Sequence, residues 1–180
     1  MSTLGLMTPP SHPSPCIILI GMAASGKSTV GKELARELAW AFLDSDHLIE
    51  ATYGQPLQTI LESLGKESFL RVESALLCTL KVSRTVIATG GSVVYREETM
   101  LHLASLGTIV HLDVAWPVIE QRLIRNPQRG LVIAKEQTLA NLFNERRSLY
   151  RRWGGVRVPA HAESPKEYAK RIIQELLPTI

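Results

Sequence analysis

The 180-residue sequence predicts an α/β fold in which one parallel sheet is covered by helices on both faces. Three observations predict it. Short apolar runs such as "IILI", "TVIAT" and "TIVHLDV" alternate with segments whose apolar residues recur at helical spacing. A glycine-rich turn carries the first apolar run directly into the first helix. Neither an internal repeat nor a linker divides the chain, and an apolar fraction of 45% suits one domain with a substantial core.

Each element follows from local chemistry. The opening "MSTLGLMTPPSHPSPC" holds four prolines, without a basic n-region or a long apolar run; it predicts a disordered tail over 1–14 rather than a secretory signal, leaving a single domain over 15–180. Ile17 to Ile20 form the first strand, and "VGKELARELAW" the helix after the turn. "AFLDSD" is a short strand ending in two carboxylates, and "HLIEATYG" a helical stretch stopped by Gly54. "PLQTILESLG" opens at Pro56 and closes at Gly65; "KESFLRVESALLCTL" places Phe69, Val72, Leu76 and Leu80 on a helical period. "TVIAT" is a buried strand running into the turn "GGS". "EETMLHLASLG" is a helix with Gly107 as its cap, "TIVHLDV" a strand, and "WPVIEQRLIR" a helix from Pro117. "NPQRGLVIAKEQ" is the least periodic interior segment. "TLANLFNERRSLYRRW" is a helix, "VRV" the last strand, and "SPKEYAKRIIQELL" a closing helix with Ser164 as cap and Pro165 at its first position. Ligands of such a sheet gather at the carboxyl ends of its strands.

Composition excludes several classes. The net charge of +3 is not gathered into one run, its densest cluster being Arg146, Arg147, Arg151 and Arg152, and no strand alternates aromatic with basic residues, so nucleic acid is not expected as a partner. No apolar run approaches the roughly 20 residues that span a bilayer. Cys16 and Cys78 have neither metal-ligand nor redox spacing and read as small buried residues of a protein in a reducing cytoplasm.

The turn itself carries the chemistry. "GMAASGKST" fits G-x-x-x-x-G-K-[ST] through Gly21, Gly26, Lys27 and Ser28, with a strand before it and a helix after it. The glycines let the backbone turn and aim its N–H groups at an anion, where the positive end of the helix dipole adds to them. Lys27 can reach the outer phosphates as a point charge, and the Ser28 hydroxyl can ligate a bridging Mg²⁺. The expected ligand is ATP with Mg²⁺, held by Gly21, Ala24, Ser25, Gly26, Lys27, Ser28 and Thr29, the last in the first turn of the helix. Asp44 and Asp46, two residues apart at a strand end, point to one side, with Ser45 facing away; alone, they are equally a solvated turn with Asp46 capping the next helix.

From Cys16 to the C-terminus the chain resembles the shikimate kinases, a branch of the P-loop small-molecule kinases. The resemblance rests on "GMAASGKSTVGKELARELAWAFLDSDHLIE", "GKESFLRVES", "ATGGSVV", "LHLASLGTIVHLD", "QRGL" and "LFNERRSLY". It implies a three-layer α/β/α sandwich around about five parallel strands, with a lid near 126–137 and a small helical substrate-binding region near 46–80. It further implies transfer of the γ-phosphate of ATP to an alcohol, with shikimate as the first expected acceptor, by a cytoplasmic monomer. The resemblance makes Asp44 an acceptor for Mg²⁺ beside Ser28, and sets Asp46 at the acceptor hydroxyl as the carboxylate that takes its proton. Lys27 and the lid's Arg129 act on the phosphates, and Arg122 and Pro165 frame the adenine; Arg122 is otherwise a solvated helix charge. Gly90 and Gly91 approach the acceptor, Arg146 binds its carboxylate, and Glu73 belongs to the same pocket.

The pattern departs at Leu70, where the family carries an arginine that clamps the carboxylate of shikimate, and again at Ser92 and Gly130, which replace a glycine and a proline. Glu73 then needs another cation, from Arg71, from Arg146, or from an acceptor with an ammonium group. The alternatives to shikimate are therefore another small hydroxy acid or a hydroxy amino acid. A nucleotide-binding module without catalysis is a third reading, in which Asp46 has no evident use.

Overall fold

A computed structural model describes residues 15–125, 137–159 and 164–176. The expected tail, residues 126–136 of the expected lid and, with them, Arg129 lie outside the described residues.

Five parallel strands form one sheet in the order β2-β3-β1-β4-β5: β1 Cys16–Ile20, β2 Ala41–Asp44, β3 Thr85–Ala88, β4 Gly107–Asp113 and β5 Val156–Pro159. Among the described residues the helices are α1 Lys27–Leu38, α2 Ser45–Tyr53, α3 Leu57–Cys78, α4 Glu97–Leu106, α5 Trp116–Arg125, α6 Leu139–Trp153 and α7 Pro165–Leu176, with a single 3-10 turn at Val93–Tyr95. Alternation along β1 separates two cores, because successive side chains of a strand point to opposite faces. Ile17 and Leu19 meet Val30 and Leu34 of α1 and Ala169 and Ile172 of α7. Ile18 and Ile20 meet Met100 of α4, Ile119 of α5 and Leu142 of α6 on the other face. These are the outer layers of the expected α/β/α sandwich.

A third, smaller apolar cluster joins Ile49 of α2 to Ile60, Leu61, Phe69 and Leu70 of α3. It is the core of the expected helical region. Gly65 breaks α3 with φ 73° and ψ 165°, so the two helices predicted on either side of it run end to end across a kink.

Termini mostly follow the sequence signals. Ser164 and Glu167 cap α7 reciprocally, the Ser164 N–H donating to the Glu167 carboxylate at 2.9 Å and the Glu167 N–H to Ser164 Oγ at 3.3 Å. Two expectations need correction. Gly107 follows α4 not as a left-handed cap but in extended backbone, φ 168°, as the first residue of β4, paired with Cys16. Cys78, unlike the buried Cys16, is exposed: the last turn of α3 presents it to solvent, while Leu77 takes the core position.

Candidate active site

The carboxyl ends of β1, β2 and β3 open on one cavity of about 400 Å³. Part of its lining is the loop between β1 and α1. Gly21 has φ 147°, and a β-carbon there would lie 2.9 Å from the Leu112 carbonyl, so both conformation and space demand glycine. Ala24, at φ 64°, and Gly26, at φ 98° as the N-cap of α1, complete the left-handed turns that curl the loop. Lys27 is buried at the start of α1, and its ammonium donates to the Gly21 carbonyl at 2.7 Å and to that of Met22 at 2.9 Å. The charge therefore sits inside the curl. Ser28 and Thr29 line the cavity beside it, whereas Ser25 is buried in the loop's own turn, its N–H on the Met22 carbonyl at 3.0 Å. Arg122 braces the loop from outside, donating to the Ala24 carbonyl at 3.0 Å. Pro165 begins α7 as an exposed residue, and neither it nor Arg122 lines the cavity.

Asp44 and Asp46 both line the cavity, by a route different from the expected one. The strand ends at Asp44, whose carboxylate caps α2 by accepting from the Asp46 N–H at 3.0 Å. Asp46 is thus in the first helical turn, and the parity of a strand does not apply to it. Ser45 faces away from the cavity as expected, but into the protein: it is fully buried, and its hydroxyl accepts from the Gly90 N–H at 2.8 Å. Burial, reinforced by the Asp44 charge and opposed by Lys27, pushes the Asp46 carboxyl up to about 6.

The turn after β3 lines the same cavity. A β-carbon on Gly90 would lie 2.8 Å from Asp46 Oδ1 and closer still to Glu73 Oε1, so two carboxylates flank one backbone position that only glycine fits. Glu73 is 2% exposed; its Oε2 accepts from the Ser92 hydroxyl at 2.7 Å, and among the described residues Oε1 has no hydrogen-bond partner. Glu73 stands behind the turn, and the cavity wall is formed by Gly90, Gly91 and Ser92. Burial pushes its carboxyl up to about 7, with Asp46 adding to the rise while the Ser92 hydrogen bond and Arg146 oppose it. Arg71 is exposed and bonded to Ser68, so it does not serve Glu73; Leu70 lies in the small apolar cluster.

A carboxyl raised from its ordinary 4.5 to about 7 holds a proton in the folded state that the unfolded chain has already lost at intermediate pH, so its contribution to stability falls as pH rises through that window. Glu73→Gln removes the titration. The variant's urea midpoint, compared with that of the wild type, is expected to rise between about pH 5 and about pH 8. A constant difference across that range would mean that Glu73 ionises normally.

Arg146, on α6, is 1% exposed and reaches the cavity wall. Its Nε donates to the Tyr95 hydroxyl at 3.3 Å, and its guanidinium lies 5.2 Å from the centre of the Tyr95 ring. Among the described residues it is the cavity's only guanidinium. Arg147, Arg151 and Arg152 are turned outward to differing degrees; Arg147 lies 3.8 Å from Asp113. Sequence reasoning missed Ser45, Tyr95 and Tyr150. For Tyr150 a signal existed, since it stands four residues after Arg146 on the same helical face.

The arrangement sets a phosphate-binding loop, a carboxylate of raised basicity and a buried guanidinium around one cavity, as transfer of a phosphoryl group to an acidic acceptor requires. A family profile for shikimate kinase matches residues 23–177. The shikimate kinase of Synechococcus sp. (strain JA-3-3Ab) is 39% identical over 165 residues, covering 89% of this chain and 86% of the relative; that of Chromohalobacter salexigens is 37% identical over 163 residues, covering 89% and 91%. Among solved structures, the shikimate kinase from Acinetobacter baumannii in complex with shikimate superposes with a TM-score of 0.81 at 32% identity, over 92% of this chain and 94% of the other. The Aquifex aeolicus shikimate kinase gives 0.76 at 32% identity, over 90% and 96%.

Proposed function

Because the chain belongs to the shikimate kinase family, we propose that it transfers the γ-phosphate of ATP to a hydroxyl of shikimate, giving shikimate 3-phosphate and ADP. The observation that carries the reading is the meeting of Lys27, Asp46 and Arg146 on one cavity. Loop N–H groups and Lys27 hold and neutralise the phosphates, Arg146 receives the acceptor's carboxylate, and Asp46 takes the proton of the attacking hydroxyl as the O–P bond forms. Gly90 and Gly91 admit the acceptor close to the backbone, and Glu73 acts through the Ser92 hydroxyl.

Mg²⁺ fits the donor set. A small hard cation prefers oxygen ligands and keeps several waters, and Ser28 and Asp44 offer a hydroxyl and a carboxylate on the same wall. Among the described residues no group of three or more His, Cys, Asp or Glu side chains is placed to hold a metal ion. Bound there, it would neutralise charge on the outer phosphates. Arg122 and Pro165 are assigned to the adenine edge, and Arg129 to a lid over the phosphates, on the family resemblance. We place the enzyme in the cytoplasm, where Cys16 and Cys78 remain free thiols, and treat it as a monomer. Among the described residues no helix is long and apolar enough to cross a membrane. A hydroxy amino acid is the poorer acceptor, because Glu73, the carboxylate that would hold its ammonium, is behind the turn.

ADP release with ATP and Mg²⁺ tests the reading, comparing shikimate with a panel of hydroxy acids and hydroxy amino acids. Saturable turnover is expected with shikimate and little with the rest. Turnover of a panel member with shikimate rejected would overturn the assignment of the acceptor while leaving phosphotransfer in place.

A further inference from the structure

Arg146 and Tyr150 project from one face of α6, a turn apart. Tyr150 is 2% exposed, and a phenol in so dry a place needs a hydrogen-bond partner. It finds the Gly91 carbonyl, to which its hydroxyl donates at 2.6 Å. Burial raises its ionisation far above the ordinary range, so it remains a neutral donor at working pH. Its ring lies 5.3 Å from that of His111 on β4, and the edge of His111 backs Gly21, 3.7 Å from where a β-carbon there would be.

Gly91 is crowded from three sides. A β-carbon on it would lie 3.1 Å from the Arg146 guanidinium, 3.3 Å from the amide nitrogen of Ala23 in the phosphate loop and 3.5 Å from the Tyr150 oxygen. The donor half of the site and the guanidinium of its acceptor half therefore converge on this backbone position. A peptide group is planar, so holding the Gly91 carbonyl also fixes the plane that leads into Ser92, the partner of Glu73.

We propose that Tyr150 is a positioning residue for phosphoryl transfer: by holding the Gly91 carbonyl, its hydroxyl sets the spacing between the phosphate loop and the acceptor's anchor. The proposal rests on the kinase reading above. In-line transfer depends steeply on such spacing, so a turn free to rotate costs rate even when both ligands bind.

Tyr150→Phe keeps the ring and removes the hydroxyl. Its control is Tyr168→Phe, since Tyr168 is also buried and donates to the Val158 carbonyl at the same 2.6 Å, on α7 and off the cavity wall. Both variants lose a buried hydrogen bond to a backbone carbonyl and are expected to lose a few degrees of Tm; Tyr150→Phe also loses the hydrogen bond between its hydroxyl and Arg146, which is why exchange at the turn is measured beside the kinetics. At a temperature where all three proteins are folded, Tyr150→Phe should lower kcat/KM for shikimate about tenfold with the KM for ATP unchanged, and Tyr168→Phe should match the wild type. Equal kinetics in the two variants would overturn the proposal. Amide exchange over 90–95, followed by mass spectrometry without any acceptor, should quicken in Tyr150→Phe alone, and unchanged protection there would also overturn it. A wild type that rejects shikimate would refute the acceptor assignment, and the exchange result would then decide the role of Tyr150 by itself.

Discussion

Asp46→Asn should bind ATP as the wild type does and transfer almost nothing. The substitution preserves the shape of a side chain on the cavity wall but removes its ability to accept a proton, and Asp46 is raised to about 6, close to working pH, where a general base is most useful. A positioned base contributes about a hundred- to ten-thousandfold, so kcat should fall within that range while the dissociation constant for ATP stays within about twofold. The pH profile gives a second check. Asp46 must be ionised to act, so kcat/KM in the wild type should decline as pH falls through about 6. A variant that keeps more than about a tenth of wild-type kcat would remove Asp46 from the mechanism and leave positioning as the whole of catalysis.

Replacing Arg146 should damage the acceptor side as selectively. Leu70 belongs to an apolar cluster and Arg71 points to solvent, so among the described residues Arg146 is the one fork that the cavity offers to a carboxylate. A hydrogen bond to a charged group is worth about 1.5–3 kcal/mol, and two lost together raise KM more than about a hundredfold. Arg146→Lys keeps the charge without the planar fork, and Arg146→Met removes both. Shikimate KM should rise in the order wild type, Lys, Met, with KM for ATP level. Because Arg146 is buried against Tyr95 and behind it Tyr150, thermal unfolding must accompany the kinetics. Parallel losses of ATP and shikimate binding would point to a collapsed cavity and against a carboxylate anchor.

What could be read from the chain was mostly what is close along it. The phosphate loop was legible because strand, turn and helix dipole lie within a dozen residues, and β1 was legible as a doubly buried strand from its unbroken apolar run. Asp44 and Asp46 reach one cavity as expected but by a different geometry, because the strand ends where Asp44 caps a helix and strand parity stops there. Cys78 was misplaced for a similar reason: near a helix end, one position decides between core and solvent. The bonds that assemble the acceptor side were not legible at all. Ser45 with Gly90, Ser92 with Glu73 and Tyr150 with Gly91 are pairs between distant segments, and nothing local distinguishes those hydroxyls from others that face water.

The small cluster of Ile49, Ile60, Leu61, Phe69 and Leu70 stands apart from the two cores that sandwich the sheet. A unit with its own few apolar contacts can open while the rest of the protein stays folded. The same separation has a meaning over evolutionary time. Substitutions that repack this arm are expected to leave the two cores around the sheet in place, so the wall that Leu61 and Phe69 give the cavity can change while the phosphate loop keeps its support.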